Sequence, residues 1–163
     1  MVKQPPAVTL RPARLEDCRS LWEWRNDPET REASFHTEAI FFDHHRAWFE
    51  SRIGSPDLRI LVVLSPEGRE VGYVRFQLNG PDAEVSVALD PEERGKGYGP
   101  AAVRAASDQL LAESAVKRVV ALIKQSNPAS RQAFERAGFL FSGDRAVGAE
   151  KTWEMVYDAA LAR

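Results

Sequence analysis

Apolar and polar residues alternate at period two in several short stretches, and each predicts a strand. Val8-Thr-Leu-Arg11 is the first, closed by Pro12. Residues 58–64 and 70–78 form a second and third, joined by the turn Ser65-Pro-Glu-Gly-Arg69, and so predict a β-hairpin. Asn79-Gly80-Pro81 is a further turn. It leads into a central strand where Val85, Val87 and Leu89 alternate with Ser86 and Ala88. Residues 116–123 are nearly all apolar, the pattern of a strand covered on both faces. Leu140-Phe-Ser and residues 150–157 close the series.

Helical spacing appears between these strands. Leu15, Cys18 and Trp22 form one stripe, and the helix ends before Pro28. A second helix is predicted from Asp43, as cap, to Ile53, with residues 32–40 as a loop before it. Pro100 suits the first turn of an Ala-rich helix running to Leu111. In residues 127–138 both ends are written in: Asn127 caps, Pro128 takes the first turn and Gly138 stops the helix. The order of elements predicts a mixed α/β fold with a largely antiparallel N-terminal half.

The length of 163 residues fits one domain spanning residues 1–163, monomer or homodimer. A net charge of −2 leaves no general basic footprint for nucleic acid. No apolar run reaches transmembrane length and the N-terminus has no signal core, so a cytoplasmic protein without a membrane partner is expected. Cys18 is the only cysteine, which excludes an internal disulfide. It lies on an apolar stripe and reads as a buried small hydrophobe. His36, His44 and His45 have no completing Cys or carboxylate at ligand spacing, so no metal is expected.

The candidate chemistry sits between the central strand and the Ala-rich helix. Arg94-Gly95-Lys96-Gly97-Tyr98-Gly99 is a glycine-rich loop at a helix N-terminus. Such a loop presents consecutive N–H groups, the helix dipole favours anions, and a pyrophosphate is the predicted ligand. The dinucleotide fingerprint fails because Pro100 replaces its third glycine and Lys117-Arg118 stands where an acid is needed. A Walker loop fails for want of Gly-Lys-Ser/Thr.

Arg94-x-x-Gly97-x-Gly99 resembles the acetyl-coenzyme A loop of the GNAT N-acetyltransferase superfamily. Asn127-x-x-Ser130 with Gly138-Phe139 resembles that family's second coenzyme A element. The resemblance extends over nearly the whole chain. It implies a GNAT-like fold, a splayed central mixed β-sheet flanked by about four helices. The implied cofactor is acetyl-CoA. The implied activity is direct attack by a primary amine on the thioester within a ternary complex.

The resemblance also assigns residues. Backbone groups of Val87, Ala88 and Leu89 would meet the pantetheine arm and the thioester carbonyl. Arg94, Gly95, Lys96, Gly97, Tyr98, Gly99 and Ala101 would surround the pyrophosphate; Pro100 has no N–H to give. Asn127, Ser130, Arg131 and Phe134 complete the cofactor side. Many members carry a tyrosine seven residues after the capping asparagine as proton donor. This chain has Phe134 there, so Ser86 and Tyr157 stand as candidate donors. Glu84, the carboxylate inside the central strand, is the candidate base.

Seven of fifteen aromatic residues fall between Trp22 and Phe49. Trp22, Trp24, Arg25, Asn26, Arg31, Phe35 and Trp48 resemble the acceptor side of amino-sugar N-acetyltransferases acting on nucleotide-linked sugars. Arg25, Arg31 or Arg46 would hold the diphosphate. Against this, residues 14–50 carry five arginines and nine carboxylates, net −4, which suits a cationic acceptor. The closing pattern also resembles N-terminal acetyltransferases of ribosomal proteins. A protein N-terminus or a small polyamine is therefore the alternative acceptor. A non-catalytic acyl-CoA-binding sensor is the alternative of another class, prompted by Phe134.

Overall fold

The computed structural model describes residues 4–158 and 160. Seven strands form one mixed sheet in the order β1-β2-β3-β4-β5-β7-β6. They are β1 (Thr9–Pro12), β2 (Leu58–Leu64), β3 (Glu70–Asn79), β4 (Asp82–Leu89), β5 (Arg118–Lys124), β6 (Leu140–Val147) and β7 (Glu150–Asp158). All neighbours are antiparallel except β4 and β5. The helices are α1 (Cys18–Asn26), α2 (Pro28–Ala33), α3 (Phe42–Arg52), α4 (Tyr98–Glu113) and α5 (Pro128–Arg136), with short 3-10 turns at Leu15–Asp17 and Pro91–Glu93.

This is the expected α/β order, with five helices among the described residues rather than about four. Residues 28–33 close up into α2 because Pro28 cannot continue α1 but suits a new first turn. Asp27 caps that turn, accepting from the Thr30 N–H at 3.2 Å. The helix expected from Asp43 starts one residue earlier, with Phe41 as its cap. Asp43 sits in the first turn, where its charge favours the dipole without capping.

Strand alternation divides the core over the two faces of the sheet. Ala83 and Val85 point to one side, where α4 and α5 pack through Val103, Leu110 and Phe134. Ala88 and Tyr73 point to the other, where α1 and α3 pack through Leu21, Trp24 and Phe49. Cys18 is buried in this second cluster, and burial pushes its thiol pKa up.

Gly138 ends α5 as expected, at φ 97°. The Phe139 N–H donates to the Phe134 carbonyl and the Gly138 N–H to the Glu135 carbonyl, each at 3.0 Å. This is a Schellman ending, and its accompanying apolar contact is Phe134 on Phe139, ring centroids 5.1 Å apart.

Candidate active site

β4 and β5 pair over three positions only: Asp82 with Arg118, Ala83 with Val119 and Glu84 with Val120. Beyond Glu84 the strands part. β4 continues to Leu89 along β3, and β5 continues to Lys124 along β7. A V-shaped opening lies between them, with Glu84 at its vertex.

Hydrogen-bond alternation tells which backbone groups face that opening. The Asp90 N–H donates to the Val71 carbonyl at 2.9 Å while Gly72 lies opposite Leu89. In an antiparallel ladder this makes Ala88, Ser86 and Glu84 the residues bonded to β3. The N–H groups of Val87 and Leu89 are left aimed into the opening. Ala88, expected with them, spends its N–H on β3.

The loop after β4 leads straight to an anion cradle. Gly95 and Gly97 adopt φ of 75° and 86°, which only glycine enters without strain. Gly97 caps α4 without any side-chain hydrogen bond. The Tyr98 and Gly99 N–H groups are among those a helix leaves unpaired at its start. A side chain at Gly97 would also place its Cβ 3.1 Å from Cδ of Pro6. This donor set fits a pyrophosphate. The Ala101 N–H is already committed to the Gly97 carbonyl at 3.4 Å. The Tyr98 ring packs into the core.

The two cations of the loop take other partners. Arg94 donates to Asp27 at 2.6 Å, Glu29 at 2.5 Å and the Thr30 hydroxyl at 2.9 Å. Lys96 pairs with Glu93 at 3.0 Å. The cradle therefore rests on backbone donors and the helix dipole. At the other end of α2, the buried Lys124 donates to the Glu32 carbonyl at 2.9 Å. So α2 is tied at one end to the loop after β4 and at the other to the last residue of β5.

Glu84 and Ser86 are exposed, and no hydrogen bond engages either side chain among the described residues. They share a sheet face with their cross-strand partners Gln77 and Arg75. Tyr157 is set apart from them. It pairs with Val119, on the closed side of the vertex, and is fully buried under α4. Its hydroxyl donates to Asp108 at 2.5 Å, and burial with this bond pushes its pKa up to about 12.

The other cofactor-side residues have structural work. Asn127 accepts from the Ser130 N–H at 3.2 Å as the α5 cap. Arg131 pairs with Glu135 at 3.0 Å and lies over Phe141 and Trp153, 4.8 and 4.7 Å from their centroids.

On the α1/α3 face a cavity of about 880 Å³ adjoins β3. Arg25, Phe35 and Trp48, three of the residues assigned by resemblance to the acceptor side, line it together with His45, Tyr73 and Arg75, which the sequence did not single out for that side. Trp22, Trp24, Asn26 and Arg31 do not line it but bond to or pack on residues that do. The Trp22 indole N–H donates to the Ile40 carbonyl at 2.7 Å, and Asn26 accepts from the Ile40 N–H at 2.8 Å. Arg31 donates to the Asn26 and Thr37 carbonyls. Trp24 stacks on Tyr73 in the core, centroids 6.4 Å apart. His45 lies with Nε2 3.0 Å from the Cys18 carbonyl, and burial holds its pKa below the usual histidine value.

The family model for the acetyltransferase (GNAT) domain matches residues 7–140. The chain belongs to the GNAT acetyltransferase family. No curated protein matches it by sequence. Among solved structures it is similar to the spermidine N-acetyltransferase of Vibrio cholerae in complex with CoA and spermine. That match has 20% identity and TM-score 0.85, over 95% of this chain and 97% of the other. It is also similar to the aminoglycoside acetyltransferase AAC(6')-Ib in complex with ribostamycin and coenzyme A, at 21% identity and TM-score 0.83 over 95% of each chain. At these identities the likeness shows the GNAT fold. No helix among the described residues is long and apolar enough to cross a membrane.

Proposed function

We propose that this GNAT chain transfers the acetyl group of acetyl-CoA to a primary amine within a ternary complex, and that the acceptor is a nucleotide-linked amino sugar. The observation that carries the transfer reading is the parting of β4 and β5 beyond Glu84 and Val120. It aims the Val87 and Leu89 N–H groups into an opening that runs to the Gly97-Tyr98-Gly99 cradle. Solved relatives of the same fold hold CoA or acetyl-CoA.

Acetyl-CoA, when bound, supplies the thioester. Val87 and Leu89 donate to the arm and to the acyl carbonyl, where one preorganised donor is worth about 10²–10³ in rate. Glu84 takes the proton from the amine, directly or through one water, leaving the nitrogen's lone pair free to attack. The new bond is nitrogen to acyl carbon, and the bond lost is carbon to sulfur. Ser86, two residues past the vertex on the same face, relays a proton to the thiolate and is refilled by the one that Glu84 has drawn from the amine.

A polyamine acceptor is the second reading. It is favoured by the spermine and aminoglycoside complexes of the solved relatives and by the net charge of residues 14–50.

The test is free-thiol release from acetyl-CoA with a panel of amines. Release with UDP-linked amino sugars is expected, and Glu84→Gln should slow it about 100-fold at neutral pH, within the usual range for general base catalysis. CoA binding without release from any amine would leave a non-catalytic acyl-CoA sensor. Normal turnover by Glu84→Gln would remove that residue from the base role.

A further inference from the structure

Arg25 and Arg75 both line the acceptor cavity, and neither has a carboxylate partner among the described residues. Arg25 Nη2 donates to the His36 carbonyl at 3.3 Å, while Nη1 is shut from solvent with no acceptor at all. Arg75 is held by Trp48, its guanidinium 5.4 Å from the ring centroid. Desolvation, together with the charge of Arg75, holds the Arg25 pKa below its ordinary value, yet an arginine stays charged. A partly buried cation with an unmet N–H is costly unless something anionic completes it. The cavity's one lining carboxylate, Glu38, is exposed and makes no ion pair among the described residues.

Resting on the acetyl-transfer reading above, we propose that Arg25 and Arg75 form an anion subsite that selects an acceptor amine carrying a phosphate or carboxylate and rejects polycations. Arginine suits this role because its planar fork matches both oxyanions. Of the three arginines suggested by sequence for such a group, only Arg25 lines the cavity. Arg31 staples the surrounding loop, and Arg46 lies outside on the surface.

The register gives the subsite a scale. Ile60, Arg75 and Ser86 lie in one cross-strand row from the cavity toward the opening. Strands stand about 4.8 Å apart, so the anion and the reacting amine are separated by roughly 5–10 Å. An anomeric phosphate and a ring amine of one sugar fit that span. A net cation such as spermidine meets two arginines there instead of an acidic wall.

Calorimetry with the full chain, with and without CoA, tests this. UDP and inorganic phosphate should bind and uridine should not. A dipeptide with a free C-terminal carboxylate, compared with its amide, reads the carboxylate source. Arg25→Gln or Arg75→Gln should each weaken UDP at least tenfold, the double variant should abolish binding, and Arg75→Lys should restore part of it. CoA affinity, measured in parallel, should stay unchanged and certifies the fold of every variant. UDP bound equally by the double variant, or spermidine bound in the cavity more tightly than UDP, overturns the subsite. Failure of CoA to bind overturns the transfer reading instead, while the UDP titration still reports on the arginines.

Discussion

Arg94, in the loop after β4, donates to Asp27 at 2.6 Å across 67 residues of sequence. Asp27 caps α2, so one carboxylate serves a helix end and an ion pair at once. Asp27→Asn keeps the capping oxygen and loses the charge; Asp27→Ala loses both. Alanine should cost about 1 kcal/mol more than asparagine, the usual worth of a cap. Urea unfolding of the two variants measures the difference.

Gly72 faces Leu89 across β3 and β4. A Cβ there would lie 2.4 Å from the Ala88 carbonyl oxygen, a backbone atom with little room to yield. Gly72→Ala should destabilise the fold by about 1–3 kcal/mol, as overpacking does. It should also lower kcat by moving the Val87 and Leu89 donors. If melting falls with kcat unchanged, those donors are not where catalysis depends on them.

Phe134 holds the Schellman ending of α5 by its contact with Phe139. A thiolate whose acid has a pKa of about 8.5 is a tolerable leaving group without help. Phe134→Tyr should therefore change kcat by less than about threefold. Phe134→Ala should cost about 3–5 kcal/mol of stability, the range for a buried aromatic.

His45 titrates below the ordinary histidine value of 6.5 because burial disfavours its charged form. The unfolded chain then binds the proton first. Stability should be level above pH 6.5 and fall as pH drops from there toward the lowered folded value. His45→Gln should remove that slope, whereas Asp17, held low by its bonds to Arg11, should add a loss only as pH falls below 3.8. Denaturant midpoints at stepped pH check both.

The strands and the glycine-rich turn into α4 were readable because local chemistry dictates them. Alternation marked β4, an apolar run closed by a turn marked β2, and Gly97 and Gly99 with Pro100 announced a bared helix start. What sequence hid is long-range pairing. Arg94 reads as a phosphate ligand by charge alone; its partners Asp27 and Glu29 lie 67 and 65 residues away. Arg75 sits among apolar residues of β3 and looks like one solvent-facing position. Only its register with Ile60 and Ser86 puts it on the cavity wall. Tyr157 looked available by residue type, and the register placed it under α4 on Asp108.

The short helix α2, fastened to the loop after β4 and to Lys124 at the tip of β5, acts as a gauge bar for the wedge between the two arms. Six residues at about 1.5 Å each make it about 9 Å long. Its length, together with the Asp27, Glu29 and Thr30 side chains that hold Arg94, would then set the clearance between the arms. Adding or deleting a residue between Pro28 and Ala33 would reset that clearance without touching either strand.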